Sequence, residues 1–288
     1  MAGLIGTAAR QAAAPVEGAA QHVARTGGPW LQRGARLGYA ASGIVYITLG
    51  IIAITGAAGT ASSRGAIATL ADQPAGKFLV ALVGIGLLGY AAWRLVEAAT
   101  GAEGEGRDAK GTAKRVGHAA SGLTHGALGL WALRLLTGRE SAANTGDGQR
   151  ATDWTARLLE LPAGRIIVAA AGLAVVGYGL YQLYRAATKD VAKRLALSGV
   201  SPDGRRWIVR AGRFGIGARG VVFGVIGGFL VLAALRRDPG QAGGLSDALA
   251  ALERAPGGRV LLTLVALGLM AFGIWRLVNA RYRRVATA

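Results

Sequence analysis

The stretch RLGYAASGIVYITLG, residues 36–50, decides the fold of this chain. Within it Arg36, Tyr39, Gly43, Tyr46 and Gly50 follow one another at spacings of 3, 4, 3 and 4 residues. The same spacing returns twice, at Arg115, His118, Gly122, His125 and Gly129, and at Arg213, Ile216, Gly220, Phe223 and Gly227. An average spacing of about 3.5 residues places each stripe on one face of a helix. The pattern therefore predicts a threefold internal repeat of helices.

The composition is typical of an integral membrane protein. Of 288 residues, 52% are hydrophobic and 17% are charged, and the mean hydropathy is +0.38. The absence of cysteine excludes disulfides, thiolate metal sites and cysteine nucleophiles. The net charge of +18 would suggest nucleic acid in a soluble domain. In a membrane protein it indicates basic loops that face anionic lipid, so we expect the bilayer and its anionic lipids as partners and no nucleic acid.

Six apolar runs are long enough, at about 20 residues, to cross a bilayer as helices. They lie near 38–57, 77–97, 117–137, 165–184, 214–235 and 259–279. The predicted fold is all-α, a polytopic integral membrane protein with six transmembrane helices. These form three parallel two-helix repeats, which we expect around a pseudo-threefold axis along the membrane normal.

The predicted organisation alternates repeats with cytoplasmic segments. Each repeat is expected to hold two transmembrane helices, and residues 1–35 lack the short apolar core expected of a secretory signal peptide. The segments are an N-terminal tail 1–35, repeat 1 at 36–97, a linker 98–114, repeat 2 at 115–185, a basic loop 186–212 and repeat 3 at 213–284.

The second span of each repeat follows a Pro-x-Gly turn, at Pro74, Pro162 and Pro256. Proline suits the first turn of a helix, which is where we expect these three. Each second span then carries large residues at matching positions, and we expect its tyrosines and tryptophans in an interfacial aromatic belt. These positions are Tyr90, Trp93 and Glu97, then Tyr178, Tyr181 and Arg185, then Phe272, Trp275 and Asn279. Short amphipathic segments at 66–71, 153–160 and 247–254 precede the prolines and are predicted to lie flat on the outer surface.

The distribution of Lys and Arg predicts the orientation. One side of the predicted membrane carries 21 of these residues and the other carries 11. Because basic loops stay inside, both termini are expected in the cytoplasm of a multi-pass protein of the cell membrane.

The motif Arg-x-Gly-Tyr-x-x-x-Gly, intact at 36–43, resembles the domain-of-unknown-function 1206 family. That family consists mostly of bacterial membrane proteins with three two-helix repeats. The second repeat departs from the motif with His118 and the third with Ile216. The resemblance implies an architecture and no particular activity.

His118 and His125 are candidate intramembrane polar positions, with Tyr39, Tyr46 and Arg219. The histidines are seven residues apart, about 10 Å along a helix, which is too far for both to bind one metal ion. We therefore expect no metal and no haem or other cofactor. Either the histidines have a function, as intramembrane histidines often do, or they pack with a polar tip, since the sister repeats carry Tyr, Ile or Phe at these positions.

Three arginines open the first helix of each repeat, and Trp-Arg pairs add two more at the same boundary. These are Arg36, Arg115 and Arg213, with Arg94 and Arg276. They are candidate contacts for anionic lipid or an anion, gathered in a ring, or else independent anchors at the head groups. Arg219 lies deeper, where the sister repeats carry serine, and needs a partner or a route to water.

The stripe glycines are the predicted helix-packing residues. They are Gly43, Gly50, Gly122, Gly129, Gly220 and Gly227, while Ala53 and Ala233 are expected to face lipid. No catalytic motif or paired catalytic acids occur, so we expect no enzyme. A non-catalytic membrane scaffold or a lipid-binding protein fits best. The alternative is a transporter or channel for a small or anionic solute.

Overall fold

A computed structural model describes residues 28–55, 61–101, 108–140, 146–188, 191–193 and 195–283. Within these ranges the chain forms nine α-helices and a short 3₁₀ turn, and no strand beyond an isolated bridge between Leu195 and Arg283. The helices are α1 (Gly28–Ile54), α2 (Ser63–Ala71), α3 (Gly76–Thr100), α4 (Ala109–Leu136), α5 (Gly148–Leu159), α6 (Gly164–Thr188), α7 (Pro202–Arg236), α8 (Leu245–Arg254) and α9 (Gly258–Tyr282). Most of the predicted tail, 1–27, lies outside the described residues.

Five helices are long and apolar enough to cross a membrane, which makes the chain a multi-pass membrane protein. They are α1, α3, α6, α7 and α9. The sixth predicted span, 117–137, lies on α4, which is 28 residues long but is not among the five. Lys110, Lys114, Arg115, His118 and His125 lower the mean hydropathy of this helix. Three long helices also begin earlier than the predicted repeats, at Gly28, Ala109 and Pro202, so part of each predicted cytoplasmic segment is helical.

The long helices pack in the order α4, α3, α1, α9, α7, α6. In each repeat the first helix packs on the second helix of another repeat, giving the pairs α4–α3, α1–α9 and α7–α6. In repeats 1 and 3 the two long helices also pack on each other, as α1–α3 and α7–α9. No comparable contact joins α4 to α6 within the described ranges. The second repeat is therefore splayed.

The six stripe glycines lie in the contacts between repeats. A Cβ built on Gly43 would be 2.8 Å from the carbonyl oxygen of Gly273, and one on Gly129 would be 3.0 Å from that of Gly84. Gly220 lies similarly close to the carbonyl oxygen of Gly179. Such distances leave no room for a side chain, so the helix backbones touch. Ala53 and Ala233, which the sequence predicts on the lipid face, are fully buried instead.

The Pro-x-Gly turns have one geometry in all three repeats. The middle residue is left-handed, with φ of 61° at Ala75, 63° at Ala163 and 68° at Gly257. The helix begins only at the following glycine, so proline lies in the turn and not in the first helical turn as predicted. That glycine is Gly76 in repeat 1, where a Cβ would overlap the carbonyl of Ala71.

The aromatic residues of the second helices do not form one interfacial belt. Tyr90 and Phe272 are only 2% and 6% exposed, whereas the matching Tyr178 is 41% exposed. Trp93 and Trp275 are likewise buried. The belt prediction is wrong for repeats 1 and 3, because their paired helices enclose these side chains.

Candidate functional site

A cavity of about 310 Å³ lies among α1, α4 and α7, the first long helices of the three repeats. Its lining includes Ser42 and Tyr46 from α1, Thr124 and His125 from α4, and Arg219 from α7. At the end that carries the short helices the lining continues to Ser63, Asp147 and Gly244. The cavity thus combines an apolar body with a few polar groups, as ligand sites do.

Arg219 is the charged group of the cavity. Its Nε donates to the hydroxyl of Tyr46 at 3.1 Å, and its Nη1 donates to the hydroxyl of Tyr178 at 3.3 Å. The guanidinium also lies over the rings of Phe223 and Phe272, 4.7 and 5.1 Å from their centres. The ion pairs of the described residues do not include Arg219. Its positive charge is therefore surrounded by phenols and aromatic faces, which solvate a cation without neutralising it.

His125 of α4 lines the same cavity as Arg219 of α7. Its Nδ1 lies 2.8 Å from the carbonyl oxygen of Ser121. Because a carbonyl only accepts, Nδ1 is the donor in this contact, and Nε2 is the acceptor when the ring is neutral. The ring also packs edge-on against Tyr90 at 4.8 Å. This arrangement fits both the packing and the functional interpretation of the histidine.

A buried polar cluster lies beside the cavity, between α1, α3 and α9. Arg276 donates through Nε to the Ser42 hydroxyl at 2.6 Å and through Nη1 to the Tyr90 hydroxyl at 3.2 Å. Arg94 donates to the same Tyr90 oxygen at 2.7 Å and pairs with Glu97 at 2.7 Å. Two arginines thus share one phenol, and the fully buried Glu97 balances part of their charge.

Two of the sequence-predicted polar residues, Tyr39 and His118, lie beside this cluster. The Tyr39 ring lies 4.3 Å from the Arg276 guanidinium and packs edge-on against Tyr90. His118 reaches from α4 toward Glu97, with 3.7 Å between Nδ1 and the carboxylate oxygen. His118 and His125 both lie along α3, in separate surroundings. Arg94 and Arg276 thus point into the protein and not toward head groups.

The three predicted boundary arginines lie in different surroundings. Arg36 and Arg213 are exposed. Arg115 is half-buried and donates to the backbone carbonyls of Ala98 and Ala99 at the end of α3. Arg213 lines a shallow groove with three further arginines of α7, namely Arg205, Arg206 and Arg210.

Each of the three helix pairs between repeats has one arginine at an equivalent level of the contact. In two pairs it comes from the second helix. Arg276 of α9 bonds to Ser42 of α1, and α3 carries Arg94 while α4 has Ser121 at the position equivalent to Ser42. In the α7–α6 pair the positions are exchanged, with Arg219 on the first helix and buried Gln182 on the second. This exchange places a guanidinium on a cavity-lining helix. Glu97, Tyr90 and Gln182 were not identified as site residues from the sequence. Alignment of the three Pro-x-Gly turns does match Tyr90 with Tyr178 and Phe272, and Gln182 with Arg94 and Arg276.

The comparisons with known proteins agree with the repeat architecture. Three segments of the chain, 37–101, 116–189 and 214–283, match the family described as Domain of Unknown Function (DUF1206). This chain, a helical multi-pass membrane protein, belongs to that family. It is 32% identical over 261 residues to the "Uncharacterized protein YxxB" of Bacillus subtilis (strain 168), covering 89% of this chain and 93% of the relative. No solved structure matches.

Proposed function

We propose that this protein is a non-catalytic protein of the bacterial cell membrane that binds an anionic lipid inside its helical bundle. The observation that carries the proposal is Arg219, a cation on the cavity wall that the described ion pairs leave without a carboxylate. A charged side chain inside a membrane bundle is costly unless an opposite charge or water reaches it. An anionic ligand would supply that charge.

The geometry around Arg219 supports an anion in preference to a cation or a neutral ligand. A guanidinium binds phosphate or carboxylate through two parallel N–H groups. The hydroxyls of Tyr46 and Tyr178 accept from Arg219 and keep their own protons for an incoming oxygen. His125 and Thr124 add polar groups across the cavity.

The proposal includes six spans in a pseudo-threefold arrangement, with α4 as the sixth. At 28 residues α4 is about 42 Å long, which exceeds the hydrocarbon core. Its polar residues His118 and His125 face α3 and the cavity, where lipid need not solvate them. The cyclic pairing of each first helix with another repeat's second helix supports the threefold arrangement.

We place both termini in the cytoplasm because of the excess of basic residues on that side. Single cysteines can be labelled without background, since the chain has none of its own. Gln73 and Ser198 are exposed at opposite predicted sides. An impermeant thiol reagent should label Gln73→Cys in intact cells and should reach Ser198→Cys only after lysis. The reverse pattern would invert the orientation.

Thermal stability in detergent tests lipid binding. Phosphatidylglycerol should raise the melting temperature of the wild type more than phosphatidylcholine does, because only the former adds a net negative charge. Arg219→Gln should lose this difference. Arg210→Gln, an exposed arginine on the same helix, should keep it. Equal lipid preference in Arg219→Gln and wild type would contradict the proposal.

A transporter or channel for a small anion is the second candidate. The observation in its favour is that the cavity extends from Arg219 to Ser63 at the short-helix end, as a path through the bundle requires, although the Asp147 carboxylate at that end opposes an anion. Anion flux into proteoliposomes that depends on Arg219 would support this candidate. Lipid-dependent stabilisation without flux would leave the lipid-binding proposal in place.

A further inference from the structure

A glycine at the same position of each repeat shows where the two helices of a repeat pack and where they are apart. Gly38, Gly117 and Gly215 each lie two residues after the arginine that opens a repeat. A Cβ on Gly38 would overlap Tyr90, and one on Gly215 would overlap the backbone of Phe272. A Cβ on Gly117 would have no atom of another helix within 4 Å. Repeats 1 and 3 are therefore closed at this position, and the second repeat is open.

The side chains of α6 give the same result independently. Tyr178 and Tyr181 are 41% and 50% exposed. The residues equivalent to Tyr181 in repeats 1 and 3 are Trp93 and Trp275, which are only 3% and 5% exposed. We call the gap between α4 and α6 the lateral seam. It lies between two helices at the ends of the packing order.

The lateral seam leads to Arg219. Thr124 lines the cavity and is nevertheless exposed, and it belongs to α4 on one side of the seam. Tyr178 belongs to α6 on the other side, is exposed, and accepts a hydrogen bond from Arg219. A ligand between α4 and α6 therefore comes within reach of the guanidinium.

The two ends of the cavity are less suited to entry of an anion. At the short-helix end the Asp147 carboxylate lines the cavity, where it accepts from the backbone N–H of Leu245 at 2.6 Å. Its negative charge disfavours entry of an anion there. At the opposite end the buried Arg276 is hydrogen-bonded to both Ser42 of α1 and Tyr90 of α3. Its side chain fills the space between these two helices.

We propose that an anionic phospholipid enters from the bilayer through the lateral seam, with its phosphate on Arg219 and its acyl chains remaining between α4 and α6. This inference rests on the proposed function and specifies its ligand and route. The cavity volume of about 310 Å³ is at the lower end for ligand pockets. It suits a head group, so the chains stay in the seam, against the exposed apolar surface of α6. On the side of α6 that carries Tyr178, Ile167 and Tyr181 are 44% and 50% exposed.

Quenching of a fluorophore by brominated lipid tests the route. A label on Thr124→Cys reports the seam, and a label on Ile85→Cys, 57% exposed on α3, is the matched control on the closed side. The labelled proteins are reconstituted in phosphatidylcholine vesicles with a small fraction of dibrominated phosphatidylglycerol or dibrominated phosphatidylcholine. At Thr124→Cys the anionic lipid should quench at least about twofold more strongly, while Ile85→Cys should be quenched equally by both. This preference should disappear in Arg219→Gln and fall only partly in Arg219→Lys, which keeps the charge but loses the bidentate fork.

The outcomes separate this inference from the proposed function. Absence of quenching at Thr124→Cys by either lipid, or equal quenching by both, overturns entry of an anionic lipid through the seam. If phosphatidylglycerol still stabilises the protein through Arg219 in that case, lipid binding stands and the route is wrong. If inorganic phosphate stabilises the lipid-free protein through Arg219 and the Thr124→Cys label is not quenched, the ligand is a soluble anion and both proposals fail.

Discussion

The first and second repeats carry the same motif but differ in how their helices pair. In repeat 1, α3 packs on both α1 and α4, and Tyr90 is enclosed with 2% of its surface exposed. In repeat 2, α6 packs on α7 and not on its own partner α4, and the matching Tyr178 is 41% exposed. The shared stripe glycines make the contact between repeats in both cases. The stripe therefore makes the contact between repeats, and a different set of residues closes the repeat itself.

That second set is a pair of glycines on facing helices. Gly38 faces Gly86 in repeat 1, where a Cβ on Gly38 would lie 2.6 Å from the Gly86 carbonyl oxygen. In repeat 2 the residue at the Gly86 position is Ala174, which is exposed. Close helix approach needs small residues on both sides. The methyl group of Ala174 is a sequence difference that accompanies the open seam.

Leucine at the three equivalent glycines should have the largest effect and would test the comparison directly. Gly38→Leu and Gly215→Leu place a side chain where backbone lies, so each should destabilise by about 3 kcal/mol or more, or prevent folding. Gly117→Leu should leave the melting temperature in detergent nearly unchanged, because open space surrounds the site. The yield of monodisperse protein and its thermal midpoint provide the measurement. A loss in Gly117→Leu as large as in the other two would mean that α4 and α6 close on each other.

The buried Glu97 distinguishes the first repeat chemically, because repeat 2 has Arg185 at this position. Arg94–Glu97 and Arg206–Asp203 are both i, i+3 pairs at 2.7 Å, but the side chains are 15% and 0% exposed in the first pair and 68% and 82% in the second. Glu97→Gln leaves a buried arginine charge uncompensated and should cost about 3 kcal/mol. The thermal midpoint of Asp203→Asn should change little, because water screens the exposed pair. Similar shifts in the two variants would mean that water reaches the buried polar cluster around Glu97.

Periodicity and hydropathy could predict the helices of this fold and their threefold repetition, because these depend on local sequence. They could also single out Arg219 as a deep charge in need of a partner. They could not predict that α4 and α6 separate. Several helices have glycine-rich faces, and the sequence does not show which of these faces pack on each other. The inward direction of Arg94 and Arg276 was also missed. A Trp-Arg pair at a membrane boundary suggests an anchor, and only the packing of α9 on α1 brings Arg276 to Ser42.

The smallest expected effect concerns the Pro-x-Gly turn, where the repeats should respond alike. Ala75 and Ala163 are both exposed and left-handed, a conformation that strains any residue with a Cβ. Ala75→Gly and Ala163→Gly relieve that strain but give the unfolded chain more freedom. The net stabilisation should be at most about 1 kcal/mol in each. Gly257→Ala, the reverse change in repeat 3, should destabilise by a similar amount. Thermal midpoints in one detergent compare the three. If Ala163→Gly alone destabilised the protein, the splaying of repeat 2 would extend into its turn, and the difference between the repeats would not be confined to the seam.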